Sequence, residues 1–135
     1  MRTDPVEAAD YVAATGVDAL AVAVGSSHAM TARTARLDRG LIAELRTAVP
    51  VPLVLHGSSG VADDQLRAAV SAGIVKVNIG TILNVAFTGA VRQTLRDPAL
   101  VDPRKYLAPA RAVMTTVVRH LLTVLNGAET AVQAS

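Results

Sequence analysis

Cysteine and tryptophan are both missing from this chain of 135 residues, and Tyr11, Phe87 and Tyr106 are its only aromatic side chains. The lack of cysteine removes disulfides, thiolate nucleophiles and Cys-ligated zinc together. The shortage of aromatics removes the platforms on which single-stranded nucleic acid stacks its bases, so nucleic acid is not an expected partner. Charge of one sign is concentrated nowhere: eleven Arg and two Lys stand singly among eleven acids, for a net charge of +2. Such dispersion says little about partners. Apolar runs are short as well. None approaches the ~18 residues of a membrane span, and the first residues, Met1-Arg2-Thr3-Asp4-Pro5, form no apolar leader, so a cytoplasmic protein that avoids membranes is expected.

What is present is apolar content: 51% of residues are hydrophobic and the mean hydropathy is +0.39. That is high for a soluble domain of this length and implies surface that further protein covers. The length itself fits one domain over 1–135, with no second domain.

Caps and periods order the chain. Asp4, Pro5 and Glu7 form a helix start, because the Asp side chain accepts an orphan amide and Pro fits the first helical position. Gly16 closes that helix. A strand is expected over 18–24, then a polar loop to Asp38, a helix over 39–48 with Leu41, Ile42 and Leu45 on one face, and a strand over 51–55. Asp63 and Asp64 open a helix that Gly73 stops, followed by a strand over 74–79. A helix over 81–96 is expected to bury Leu83, Phe87, Val91 and Leu95. The last helix runs from near Pro109 to Leu125, with Val113, Val117, Leu121 and Val124 in register. Alternating strands and helices demand parallel pairing with right-handed crossovers. The fold class is therefore α/β with about three parallel strands, too few for a closed barrel or a comfortable open sheet.

Chemistry gathers at the ends of the strands. His28 follows the apolar run 20–24, His56 follows 51–55, and Asn78 ends the third run. The C-terminal ends of parallel strands are where α/β proteins hold their ligands. Neighbouring strands lie about 4.8 Å apart, so two imidazoles can reach one ion at about 2.1 Å. The rings of His28 and His56 are thus expected to converge. Gly57 to Gly60 after the second strand reads equally as an ordinary β-to-α turn or as a loop whose small residues let amides approach an anion. Lys76, inside a strand, is read as structural rather than as a Schiff-base lysine, and His120 is read as lying on a solvated helix face with no role.

Taken together, Thr3-Asp4-Pro5, Thr15-Gly16-Val17-Asp18-Ala19-Leu20-Ala21-Val22, Ser27-His28, Leu37-Asp38, Pro52-Leu53-Val54-Leu55-His56-Gly57, Ser59-Gly60, Lys76-Val77-Asn78-Ile79-Gly80-Thr81 and Asp102-Pro103-Arg104-Lys105-Tyr106-Leu107 resemble the class II, zinc-dependent ketose-bisphosphate aldolases. The resemblance covers nearly the whole chain and corresponds to the C-terminal half of that family's barrel, so it implies a partial (β/α)8 barrel. It implies Zn2+ as cofactor, with His28 and His56 as two of three histidine ligands. It also implies Gly57, Ser59, Gly60, Asn78, Ile79, Gly80 and Thr81 as the residues around a substrate phosphate. The implied reaction is reversible cleavage of a ketose 1,6-bisphosphate, of fructose or tagatose type, to dihydroxyacetone phosphate and an aldehyde phosphate.

The family's third histidine and its acid/base aspartate lie earlier, in a region without a counterpart here, so no catalytic residue is assigned to this chain. Two positions depart from the family pattern: Ala29 follows His28 where glycine is common, and Gly80 stands where many members carry Asp or Asn. The expectation is a chain inactive alone, completed by an N-terminal half, within an enzyme that is a homo-oligomer. The alternative is a non-catalytic phosphosugar-binding or subunit-interaction fragment.

Overall fold

A computed structural model describes residues 2–27 and 32–132, with side chains described as far as Gly127. The chain opens with α1 (Pro5–Thr15). Asp4 caps it as its sequence requires, its carboxylate accepting from the amides of Val6 and Glu7 at 2.9 and 3.1 Å. Gly16 closes it in the left-handed region at φ 64°. Then follow β1 (Leu20–Val22), α2 (Arg39–Ala48), β2 (Leu53–Leu55), a single 3-10 turn at Ser58–Gly60, α3 (Asp63–Ala72), β3 (Ile74–Val77), α4 (Thr81–Thr94) and α5 (Pro103–Val132). Asp38 caps α2 by accepting from Leu41 N at 3.1 Å. Among the described residues, no helix is long and apolar enough to cross a membrane.

The three strands are parallel and adjacent in chain order. That order has a consequence. Right-handed crossovers between strands that always step the same way place every connecting helix on one face of the sheet, as in a barrel wall, whereas a doubly wound sheet reverses and covers both faces. The burial agrees. Val22, Val24, Leu53, Leu55 and Ile74 join Ile42 and Leu45 of α2, Leu66 and Ala69 of α3, and Leu121 and Val124 of α5 in one core. On the opposite face Ala21, Ala23 and Lys76 are exposed. Between them Val54 pairs with both Lys76 and Ala21 and, on the central strand, is itself only 5% exposed. Strand alternation then carries this bare face on to His56 and Asn78.

The paired strands are shorter than the apolar runs, because the ladder exists only where partners overlap. Flanking bonds extend it, from Leu20 N to the Pro52 carbonyl and from Asn78 N to the Leu55 carbonyl, each 3.0 Å. Two helix expectations need correction. Of the α4 side chains taken as buried, Leu83, Phe87 and Val91 are only partly covered, and Leu95 is 44% exposed. The reason is that α4 packs chiefly against α5, so only part of its circumference is shielded. The last helix also starts earlier than Pro109, at Pro103. Asp102 caps it, accepting from Arg104 N at 3.0 Å. Pro109 sits within it and omits the bond its amide would have made to Lys105. Along α5, Leu121 and Val124 are buried as their register implies, while Val113 is 42% exposed.

Candidate functional site

His56 and Asn78 are the first residues past the ends of β2 and β3 on the bare face, and their side chains meet. Asn78 Nδ2 lies 3.1 Å from His56 Nε2. Since the amide nitrogen only donates, Nε2 is the accepting nitrogen in this contact, and its lone pair is engaged by Asn78. Both residues line a crevice of about 250 Å³ together with Ser27, Gly57, Ser58, Ser59, Ile79, Gly80 and Thr81. Every residue expected around phosphate except Gly60 therefore lines one opening. Gly60 is buried directly behind it in the 3-10 turn.

Backbone geometry explains the small residues. Gly57 has φ 67°, a conformation that costs an L side chain energy. A Cβ placed there would stand 2.6 Å from the Ser27 carbonyl oxygen and 2.7 Å from its carbon. Only glycine lets the turn after β2 press against the segment that leads into position 28. Ser26 reinforces this contact from the other side, its hydroxyl donating to the His56 carbonyl at 2.5 Å.

Gly80 is different: its φ of −138° is ordinary, and a Cβ there would meet nothing within 4 Å. An acid or amide side chain at position 80 fits without rearrangement, so this departure from the family pattern is neutral to the fold.

Ser59, 8% exposed, ties the two loops together. Its hydroxyl oxygen accepts from Ile82 N at 3.1 Å, capping α4 from another element, since Gly80 has no side chain to do so. Ser58, also buried, donates to the Leu55 carbonyl at 3.3 Å. Among the described residues no hydrogen bond engages the amides of Ser58, Ser59, Gly80 or Thr81. Unpaired amides at two adjacent helical starts favour an anion, through their hydrogens and through the positive end of α4.

Three expectations have other outcomes. His28, with its neighbours up to Thr31, lies outside the described residues, so the convergence of two imidazoles rests on sequence alone. Among the described residues no three His, Cys, Asp or Glu side chains gather into a metal site. His120 is not merely solvated: its Nε2 sits 2.7 Å from Asp63 Oδ2, although the side chain is 55% exposed. The other Asp63 oxygen accepts from Arg33, whose Nε also donates to the Val61 carbonyl at 2.8 Å. Partial burial alone would raise the Asp63 carboxyl, but the hydrogen bonds from Arg33 and His120 outweigh it and hold the group below its ordinary value of 3.8. Asp63 is thus committed to a bridge among the loop before Ala35, α3 and α5. Asp38 is committed to α2, and neither lines the His56 crevice. Lys76 is exposed on the bare face, two residues before Asn78.

Sequence reasoning missed Ser26 and Ser58 as parts of the site. The available signal was a pair of serines following a glycine at each strand end, a pattern suited to close loop packing.

Comparison with known proteins completes the picture. The family described as class II fructose-bisphosphate aldolase matches residues 1–130. Among solved structures, the YdjI aldolase from Escherichia coli K12 superposes with a TM-score of 0.81 at 34% identity, over 92% of this chain and 46% of that one. A putative fructose-1,6-bisphosphate aldolase from Coccidioides immitis gives 0.76 at 26%, over 96% and 46%. A fructose-bisphosphate aldolase from Campylobacter jejuni, at 23% identity and 0.76, supports the fold, over 93% of this chain and 45% of its own. The chain spans less than half the length of these structures.

Proposed function

We propose, for a chain that belongs to the class II fructose-bisphosphate aldolase family, that its residues form the phosphate-binding and part of the metal-binding portion of an aldehyde-lyase. Its reaction is the reversible cleavage of a ketose 1,6-bisphosphate to dihydroxyacetone phosphate and an aldehyde phosphate. The observation that carries this reading is the single crevice in which His56, Asn78 and two sets of unpaired amides stand side by side.

The geometry supports a division of labour. The amides of Ser58, Ser59, Gly80 and Thr81 hold the substrate phosphate, and Ser59 keeps the two loops in one frame through Ile82. Asn78, at the crevice rim, is positioned to bond an oxygen of the ketone portion. His56 fits as one zinc ligand because it places an imidazole at a strand end, beside the phosphate loops. A zinc site needs three protein ligands and an open position. His28 is proposed as the second, and the remainder comes from residues other than those described. When bound, zinc supplies Lewis-acid polarisation of the ketone. The proton-transferring carboxylate must also come from elsewhere, since Asp38 and Asp63 have the other duties given above.

Three strands are far from the eight of a closed barrel. We therefore assign the activity to a whole barrel of which these residues form the wall that carries the phosphate site, in a cytoplasmic, homo-oligomeric enzyme. The test is cleavage of fructose and tagatose 1,6-bisphosphates, with and without a zinc chelator, by this chain alone and by this chain co-expressed with a family N-terminal half. Chelator-sensitive cleavage by the combination, absent alone and abolished by His56→Ala, is expected. Robust cleavage by the chain alone, or cleavage indifferent to chelator, overturns the proposal. Dihydroxyacetone phosphate that shifts the amides of 58–60 and 80–82 without any cleavage by the combination would mark a phosphosugar-binding module instead.

A further inference from the structure

An opening larger than the His56 crevice lies elsewhere on the described surface. It is an open depression of about 770 Å³ lined by Arg2, Arg36, Leu37, Asp38, Arg39, Gly40, Ala68, Ser71 and Ala72, and it shares no residue with the site above. Three guanidiniums border it, against a single carboxylate. In a chain whose charges are otherwise scattered singly, this is its one arginine-rich recess among the described cavities.

The lone acid is already occupied twice. One oxygen of Asp38 caps α2 by accepting from Leu41 N at 3.1 Å. The other accepts from Arg2 at 2.6 Å, which fixes that guanidinium at the edge of the recess. Asp38 thus serves as a holder for Arg2 and the helix and has little capacity left for the other two arginines. Among the described residues, no hydrogen bond or ion pair engages the side chains of Arg36 or Arg39. Arg36 also borders a neighbouring opening that contains Asp64, but the Asp64 carboxylate is bonded to Gln65 at 3.3 Å.

We propose that this recess is a second anion site, separate from the aldolase crevice, for a small molecule that carries at least two phosphate charges. Arg36 and Arg39 supply planar, bidentate donors, Arg2 supplies a third, pre-positioned cation, and Ser71 can add a hydroxyl. Two guanidiniums without a partner among the described residues, beside a held one, match a diphosphate more closely than a monoanion. Lysine would give charge without the fork geometry, which provides a discriminating substitution.

Inorganic pyrophosphate and inorganic phosphate are the probes, titrated into the isotopically labelled 135-residue chain and followed by amide shifts together with calorimetry. Pyrophosphate is expected to shift amides of 36–41 and 68–72, and to bind there at least about tenfold more tightly than phosphate. The pair Arg36→Ala and Arg39→Ala should weaken that binding by about tenfold or more, while shifts at 58–60 and 80–82 persist. Arg36→Lys with Arg39→Lys should recover only part of it. Both positions are exposed, so circular dichroism should show an unchanged fold. Pyrophosphate shifts that avoid 36–41, equal binding by the alanine pair, or full retention by the lysine pair would each overturn the proposal. Because the two sites report through different resonances, failure here leaves the aldolase reading untouched, and the reverse also holds.

Discussion

Gly57→Ala tests the central contact of the site, and two other glycines serve as its internal controls. Gly57, Gly16 and Gly80 would each receive the same methyl group, but into different circumstances. At Gly80 φ is negative, at −138°, and the space is open, so alanine meets neither the left-handed cost nor a clash and should stay near wild type. At Gly16 the space is also open, but φ is 64°. The left-handed conformation then costs about 1–2 kcal/mol alone. At Gly57, φ is 67° and the new Cβ would stand 2.6 Å from the backbone of Ser27. The conformational cost recurs, and a backbone displacement is added, which strain of this kind prices at about a further 1–3 kcal/mol. Urea unfolding of the three variants should therefore rank Gly57→Ala well below Gly16→Ala, with Gly80→Ala near wild type. Amide shifts in Gly57→Ala should spread to Ser26 and Ser27, because that segment must yield. If Gly57→Ala and Gly16→Ala fall within about 0.5 kcal/mol of each other, the close approach of the loops after β1 and β2 is not a constraint, and the site argument loses its geometric basis.

Ser59→Ala should cost about 1 kcal/mol, the usual worth of a side-chain cap, and hydrogen exchange should show the Ile82 amide losing protection; unchanged protection would refute capping from another element. Asp63→Asn should lower stability by about 1 kcal/mol near neutral pH, because the paired carboxylate of the wild type is held below its ordinary 3.8. A depressed folded-state value contributes stability above the unfolded value and loses it as pH falls through the folded one, so the gap between variant and wild type should close in acid; a gap independent of pH would show that the Arg33 and His120 bonds carry no charge coupling.

The fold was legible in the sequence because its punctuation is strong. Asp4 with Pro5, Gly16, Asp38 and Gly73 each stand at or beside an observed helix end, and the three apolar runs all became strands. What the sequence left open was set by tertiary surroundings. Leu83, Phe87 and Leu95 have helical spacing whether or not a neighbour covers them, and periodicity alone does not say how much of a helix's circumference will be packed. Pro109 reads as a boundary locally, but Asp102 and Pro103 form a better start one turn and a half earlier, and the packing of Ala110 and Leu121 carries the helix through it.

The site divides along the same line. Alternation placed His56 and Asn78 on one face, since each lies two residues beyond Val54 and Lys76, which pair across the sheet. That much follows from a period of two. The partnership of Ser59 with Ile82, of Ser26 with the His56 carbonyl and of His120 with Asp63 does not, because each joins residues that are more than twenty positions apart and depends on loop shapes that no local rule fixes. The three bonds nevertheless share a logic. Each satisfies a group that the sheet and helices leave over, whether the first amides of a helix, a carbonyl past a strand end or a carboxylate at a helix start. The loops at the C-terminal ends of the strands are consequently held by side chains together with a few isolated backbone bonds, such as Ala35 N to the Gly60 carbonyl at 2.9 Å, rather than by a continuous ladder. Such loops can keep several amides unpaired and directed toward a ligand, which a continuous ladder would consume.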